Sequence, residues 1–208
     1  MSKDIDTKLN EGRQYRNFEA LEPVDDMIVE GYATTFDSPY LLYRDDGYEV
    51  WEKVDRNAFA KTDMTDVIMQ YDHSGRVFAR NANGTLTMNA DEHGLHIRAL
   101  LGGTEIGRQL YEEIKGGYTN KMSFGFRVEE DKREIIEEGD TVRVMRTITD
   151  VGKLYDVSAV SLPANDGTAI SARSYGEGVI AEAREEIRKR REREAQIERI
   201  RRLTEVSE

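Results

Sequence analysis

The sequence has no cysteine, and it has only three prolines and three histidines in 208 residues. The missing cysteines exclude disulfides, a thiol nucleophile and thiolate metal ligands. No apolar run is long enough to cross a bilayer, and the residues from Met1 to Asp4 do not resemble a signal peptide. We therefore expect a protein of a reducing interior, without a membrane partner.

Acidic residues outnumber basic ones, which gives a formal net charge of −11. The excess is unevenly spread, because residues 179–208 contain nine basic and eight acidic side chains. The net negative charge therefore lies entirely in the first 178 residues. Because affinity for nucleic acid depends on clustered cations, we predict no nucleic-acid partner.

Short segments of alternating apolar and polar residues, separated by turn residues, predict a protein built mainly of β-strands. Asn83-Gly84, 91–94 and 138–140 are typical of hairpin turns. The predicted strands are 28–36, 48–54, 67–71, 77–80, 85–89, 95–101, 121–128, 141–149 and 154–162.

Two helices are predicted among these strands. Asp55 offers an N-cap to a short helix, and Thr104 caps a longer one that ends at Gly116-Gly117. Strands at hairpin spacing with few helices indicate a mainly β, α+β protein. We predict a closed or nearly closed antiparallel β-barrel decorated by helices, rather than a parallel α/β sheet.

The composition divides the chain into three predicted parts. Residues 1–25 are polar and without periodicity, which predicts a flexible arm. Residues 26–175 form the barrel domain. Gly176–Gly178 is a predicted hinge, and residues 176–208 form a charged helical extension with sparse apolar positions. A solvated tail is favoured over a coiled-coil or scaffold contact.

Ser123 is a candidate nucleophile on one face of a predicted strand. Met122, Phe124 and Phe126 form its apolar face, while Ser123 and Gly125 share the other. The glycine would leave room for a substrate backbone to approach the hydroxyl. The pattern alone favours an ordinary solvent-facing serine.

A nucleophilic serine needs a base, and the chain offers only His73, His93 and His96. His93 lies in a predicted turn and His96 on a strand, whereas His73 follows a strand end that can present it to a cleft. Asp156, inside a strand, is a candidate to orient the imidazole, although pairing with an arginine is an equal alternative. A zinc site built from the histidines is disfavoured, because His93 and His96 do not share a helical face.

Three segments together resemble the prohead maturation proteases of tailed phages, whose fold is similar to that of the herpesvirus assemblins. The resemblance covers residues 28–173. The segments are Tyr71-Asp72-His73 followed by Arg76 and Arg80, Gly117 followed by Met122-Ser123-Phe124-Gly125-Phe126, and Asp156-Val157-Ser158 followed by Leu162-Pro163-Ala164-Asn165.

The resemblance implies that Ser123 is the nucleophile, His73 its base and Asp156 the third member of the triad. Asp156 stands where many relatives have Glu and the herpesvirus enzymes have a second histidine. The backbone near Ala164 and Asn165, after the last strand, is the predicted oxyanion hole.

The resemblance also implies a serine endopeptidase that needs neither metal nor other cofactor. Its expected substrates are the scaffold protein or the scaffold-like arm of the capsid protein, and also the chain itself, inside the immature capsid in the host bacterial cytoplasm. A homodimer is expected by analogy with the herpesvirus enzymes. The alternative is a non-enzymatic capsid-assembly scaffold or binding module with the same barrel. An esterase is disfavoured, because no Gly-x-Ser-x-Gly motif surrounds Ser123.

Overall fold

A computed structural model of the chain describes residues 12–19, 21–161 and 166–205. These residues form eleven β-strands, two α-helices and a short 3₁₀ turn at Asn81–Asn83. Helix α1 spans Glu105–Lys115 and α2 spans Asp166–Glu205. The strands are β1 (Gln14–Glu19), β2 (Leu21–Asp25), β3 (Ile28–Thr35), β4 (Tyr40–Asp45), β5 (Tyr48–Val54), β6 (Ile68–Tyr71), β7 (Ser74–Arg80), β8 (Leu86–Ala90), β9 (Gly94–Leu100), β10 (Lys121–Glu138) and β11 (Thr141–Val160).

The strands pair into two sheets, and the hydrogen bonding of the described residues closes neither into a barrel. The larger sheet has the order β1-β10-β11-β5-β4, with β6 and β7 attached through β11. The smaller sheet has the order β2-β3-β9-β8 and is antiparallel throughout. The predicted class, mainly β with helices, is confirmed.

Strands β10 and β11 form one long antiparallel hairpin that turns at Gly139. The N-terminal part of β11 pairs in parallel with β5, and its C-terminal part pairs in parallel with β6. The core lies beneath this hairpin. Phe124 and Phe126 stack with their ring centroids 4.4 Å apart, and neither has exposed surface. The apolar face predicted for this strand is therefore confirmed.

Several predicted elements are confirmed and others are wrong. Thr104 caps α1 as predicted, because its side chain accepts a hydrogen bond from the Gly107 backbone N–H at 3.1 Å. The helix predicted after Asp55 is a series of turns. Asn83-Gly84 does not join a hairpin, since β7 belongs to the larger sheet and β8 to the smaller.

The arm predicted over residues 1–25 is wrong where the structure describes it. Residues 14–19 form β1 at the edge of the larger sheet, and residues 21–25 form β2 at the edge of the smaller sheet. Both strands hydrogen-bond to the body over their length. Residues 1–11 lie outside the described residues.

Helix α2 also differs from the prediction. It begins at Asp166 and continues through Gly176–Gly178, so no hinge interrupts it. Its first half is not solvated, because Val179, Ile180 and Ala183 are buried in a second apolar cluster with Val50 and Val144. Beyond Ile187 the described side chains are exposed. Among the described residues, no helix combines the length and the apolar character needed to cross a membrane.

Candidate active site

Ser123, His73 and Asp156 lie in one hydrogen-bonded row, although 50 and 83 residues separate the histidine from its partners. The His73 Nε2 atom is 2.6 Å from the Ser123 Oγ atom. The His73 Nδ1 atom is 2.5 Å from an Asp156 carboxylate oxygen. Asp156 therefore faces the imidazole, as the candidate role for it requires. This is the connectivity in which an imidazole removes the proton of a serine and a carboxylate orients the ring.

The sheet explains why these three side chains meet. In the β10–β11 pair, Ser123 lies opposite Ser158 and Gly125 lies opposite Asp156. Strand β6 runs parallel to β11 on its other side and reaches Ala159 at Tyr71. The turn that follows β6 then carries His73 back over the two neighbouring strands.

His73 occupies the second central position of a two-residue hairpin turn between Tyr71 and Ser74. Asp72 and His73 both have positive φ, at 47° and 55°. This turn type favours glycine at the second position, and a larger residue there costs on the order of 1 kcal/mol. The Asp72 carboxylate does not orient the ring. It accepts a hydrogen bond from the Ser161 backbone N–H at 3.1 Å and so holds the turn to the end of β11.

The Asp156 carboxylate has a defined orientation. One oxygen interacts with His73 Nδ1 and also accepts a hydrogen bond from the Ser158 hydroxyl at 2.8 Å. The second oxygen lies over Gly125, where an added Cβ would be only 2.4 Å from it. The same Cβ would be 2.8 Å from the Tyr15 ring. Gly125 therefore makes room for the carboxylate and the tyrosine, and not for a substrate backbone as the sequence suggested.

The candidate site is closed in this structure. Ser123 has no exposed surface, and His73 and Asp156 are 5% and 3% exposed. The Tyr15 ring of β1 lies against the imidazole with centroids 4.4 Å apart. The interpretation of Ser123 as a solvent-facing serine is therefore wrong. Burial strengthens the hydrogen bonds of the row, and a substrate must displace neighbouring residues to reach Oγ.

Strand β1 is held beside the site by a buried ion cluster that the sequence analysis missed. Glu52 binds Arg16 through both carboxylate oxygens, at 2.5 and 2.9 Å, and also binds Arg146 at 2.6 Å. Burial alone would raise the pKa of Glu52, but the two guanidinium groups outweigh it and lower that pKa to about 2. The available signal was a carboxylate between Val50 and Val54 on the buried face of a strand.

The remaining predicted residues lie elsewhere. His93 is exposed in the β8–β9 turn, with its ring against Tyr32. The His96 Nε2 atom is 3.6 Å from a Glu30 oxygen. In the part of the chain that is described, no group of three His, Asp or Glu side chains is placed to hold a metal ion. Ala164 and Asn165, the predicted oxyanion-hole residues, fall outside the described residues.

Comparison with known proteins gives one match. A family model described as caudovirus prohead serine protease matches residues 16–180, from β1 through the first part of α2. This range includes the hydrogen-bonded row and the ion cluster. No curated protein and no solved structure gives a match.

Proposed function

Since the chain belongs to the caudovirus prohead serine protease family, we propose that it is a serine endopeptidase whose nucleophile is Ser123. His73 acts as the base and Asp156 orients the ring. The observation that carries the proposal is the unbroken row from Ser123 Oγ through the imidazole to Asp156, at 2.6 and 2.5 Å. Folding does not require a serine, a histidine and an aspartate from distant parts of the chain to lie in this order. Acyl transfer by an activated serine does require it.

The chemistry follows from the order of the atoms. As Ser123 Oγ attacks the carbonyl carbon of a peptide bond, His73 Nε2 takes the hydroxyl proton and then gives it to the leaving amine. The Asp156 carboxylate accepts a hydrogen bond from the Nδ1–H group, stays ionised and stabilises the imidazolium. Water then hydrolyses the acyl-enzyme by the reverse route. We also propose that backbone N–H groups near Ala164 and Asn165 donate hydrogen bonds to the oxyanion.

The family implies capsid proteins as substrates. We propose that these are the scaffold-like arm of the capsid protein, the scaffold protein or both, together with the chain itself. The reaction takes place inside the prohead. The proposal also includes a homodimer and the barrel of the herpesvirus-protease kind, in which side-chain packing between the two sheets takes the place of continuous hydrogen bonding.

The proposal is tested by co-expressing the chain with phage capsid and scaffold proteins. We expect Ser123→Ala and His73→Ala to fold and to lower processing by a thousandfold or more, on the order found for triads. Ser38→Ala, an exposed serine in the loop before β4, is the matched control and keeps wild-type processing. Unchanged processing by Ser123→Ala would sink the assignment.

The burial of Ser123 supports one alternative, a capsid-assembly module with the same fold and no turnover. A fluorophosphonate probe separates the two functions, because it bonds only to an activated and reachable serine. The peptidase is labelled at Ser123, and the label is lost in His73→Ala. An assembly module stays unlabelled and binds capsid protein without cutting it.

A further inference from the structure

An open cleft of about 440 Å³ lies between the β6–β7 hairpin and helix α1. Phe78, Ile106 and Leu110 give it an apolar wall. Arg76 and Glu113 stand exposed on its rim, with one charge of each sign. The rim therefore has no net charge with which to select an acidic or a basic ligand.

The cleft adjoins the proposed base. Tyr71 and Ser74, which line it, are the two residues that flank the Asp72-His73 turn. Ser74 follows His73 directly, and consecutive Cα atoms are about 3.8 Å apart. The cleft therefore begins one residue along the chain from the proposed base. An extended peptide advances roughly 3.3–3.6 Å per residue. A substrate side chain within a few residues of the cleaved bond can therefore reach the cleft.

The apolar wall is more than an edge of the core. Leu110 and Ile114 of α1 are buried, but Ile106, one turn earlier on the same face, is only half-buried because it borders the cleft. Phe78 on β7 is half-buried in the same way. A concave apolar surface on a chain that is 34% charged is the usual form of a ligand site.

We propose that this cleft is a specificity subsite that takes a bulky apolar side chain, such as Leu, Met or Phe, of the polypeptide substrate. The inference rests on the proposed peptidase function, because the cleft selects the residue that lies beside the bond attacked by Ser123. The volume of the cleft admits both aromatic and long aliphatic side chains. A small side chain at that substrate position would leave the cleft unfilled, and a charged one would lose hydration against the apolar wall.

The test uses a mixture of synthetic peptides of varied sequence, with the cleaved bonds mapped by mass spectrometry. For the wild-type enzyme we expect bulky apolar residues at one fixed position near the cleaved bond. Ile106→Trp fills the cleft, so the preferred residues at that substrate position become Ala, Ser and Gly. For peptides with a bulky apolar residue there, we expect about a tenfold loss of kcat/KM. Gln109→Trp places the same side chain on the exposed wall and keeps the test valid if Ile106→Trp does not fold.

Glu112→Trp is the matched control, since Glu112 is exposed on α1 but does not line the cleft. It keeps the wild-type preference. The subsite is overturned if the wild type shows no bulky apolar preference or cleaves no peptide, or if both Trp variants keep the wild-type profile. Cleavage that persists in Ser123→Ala overturns the proposed function itself, which is a separate result from an unchanged profile in the Trp variants.

Discussion

Gly125 shows how a single residue without a side chain shapes the candidate site. It lies two residues from Ser123 on β10 and directly opposite Asp156 on β11. The carboxylate extends across the glycine, and the Tyr15 ring of β1 covers the same place. Strand β10 thus contains both the proposed nucleophile and, two residues later, the glycine over which the Asp156 carboxylate lies.

The geometry predicts the effect of Gly125→Ala. Its Cβ would be 2.4 Å from an Asp156 oxygen, so the carboxylate must turn away from His73. We expect at least a hundredfold loss of peptidase activity and a decrease of about 1–3 kcal/mol in the free energy of unfolding. Peptide cleavage and urea denaturation measure the two effects. Gly103→Ala, whose Cβ meets no atom within 4 Å, is the control and changes neither.

A second substitution distinguishes the clash from general damage. Adding Asp156→Ala to Gly125→Ala removes the clashing oxygen, so part of the lost stability returns while activity stays absent. Full activity in Gly125→Ala, or strictly additive losses of stability in the pair, contradicts this account of the glycine.

At the scale of the elements, local signals predict local structure. They fail where contacts between residues distant in sequence determine how the strands pair. Thr104 and the apolar row that follows it were sufficient to predict α1, because a cap and a 3.6-residue period act within a few residues. Asn83-Gly84 turns the chain, but the hairpin predicted from it does not form, because no local signal determines which strands pair afterwards. Edge strands such as β1 are specified by their partner, which lies more than a hundred residues away.

Site prediction has the same limit. Local pattern makes Ser123, His73 and Asp156 candidates only, with an ordinary serine favoured and an arginine an equal partner for the acid, and the resemblance is what assigns their roles. Ser158 and Gly125 acquire their roles only from the register of β10 against β11. A one-residue change of that register would place other side chains opposite them.

Helix α2 offers a test at this scale, because substitutions of Gly176 and Gly178 are expected to have opposite effects on stability. Gly176 is buried, and a Cβ there would lie 2.4 Å from the Tyr43 side chain of β4. Gly178 is exposed, and its Cβ would meet nothing within 4 Å. We expect Gly176→Ala to lower the free energy of unfolding by about 1–3 kcal/mol and Gly178→Ala to raise it by up to about 1 kcal/mol.

Thermal and urea unfolding of the two variants measure this contrast. An undocked helical tail would respond to both substitutions alike, with the gain in helix propensity that alanine gives over glycine. Stabilisation by Gly176→Ala therefore refutes the docking of α2 on β4, with Gly178→Ala as the matched reference.

Across the whole molecule, the buried ion cluster connects elements that are distant in sequence. Glu52 of β5 binds Arg16 of β1 and Arg146 of β11, and Tyr40 of β4 also donates to it. The Arg146 guanidinium lies 4.2 Å from the ring centroid of Tyr175 on α2. The cluster thus joins the strand that covers the candidate site, the central hairpin and the terminal helix.

This cluster predicts how stability depends on pH. The pKa of Glu52 is about 2 in the folded chain, below its ordinary value of 4.5. A lowered pKa stabilises the folded state above pH 4.5, and that contribution is lost as the pH falls towards 2. The shift corresponds to on the order of 3 kcal/mol in the free energy of unfolding. Urea unfolding at pH 7, 4.5 and 3 measures the loss.

Glu52→Gln isolates the carboxylate's share. The variant is less stable at pH 7, because the buried Arg16 guanidinium loses its carboxylate partner and Arg146 keeps only its ion pair with Asp131. Its deficit relative to the wild type should shrink as the pH falls from 4.5 to 2. Glu185, whose pKa is also lowered to about 2 by hydrogen bonds from Arg188 and Lys189, is exposed on α2. Water screens that pair, so Glu185→Gln should follow the wild-type curve. A deficit for Glu52→Gln that stays constant over this range would show that its charge does not hold the strands together.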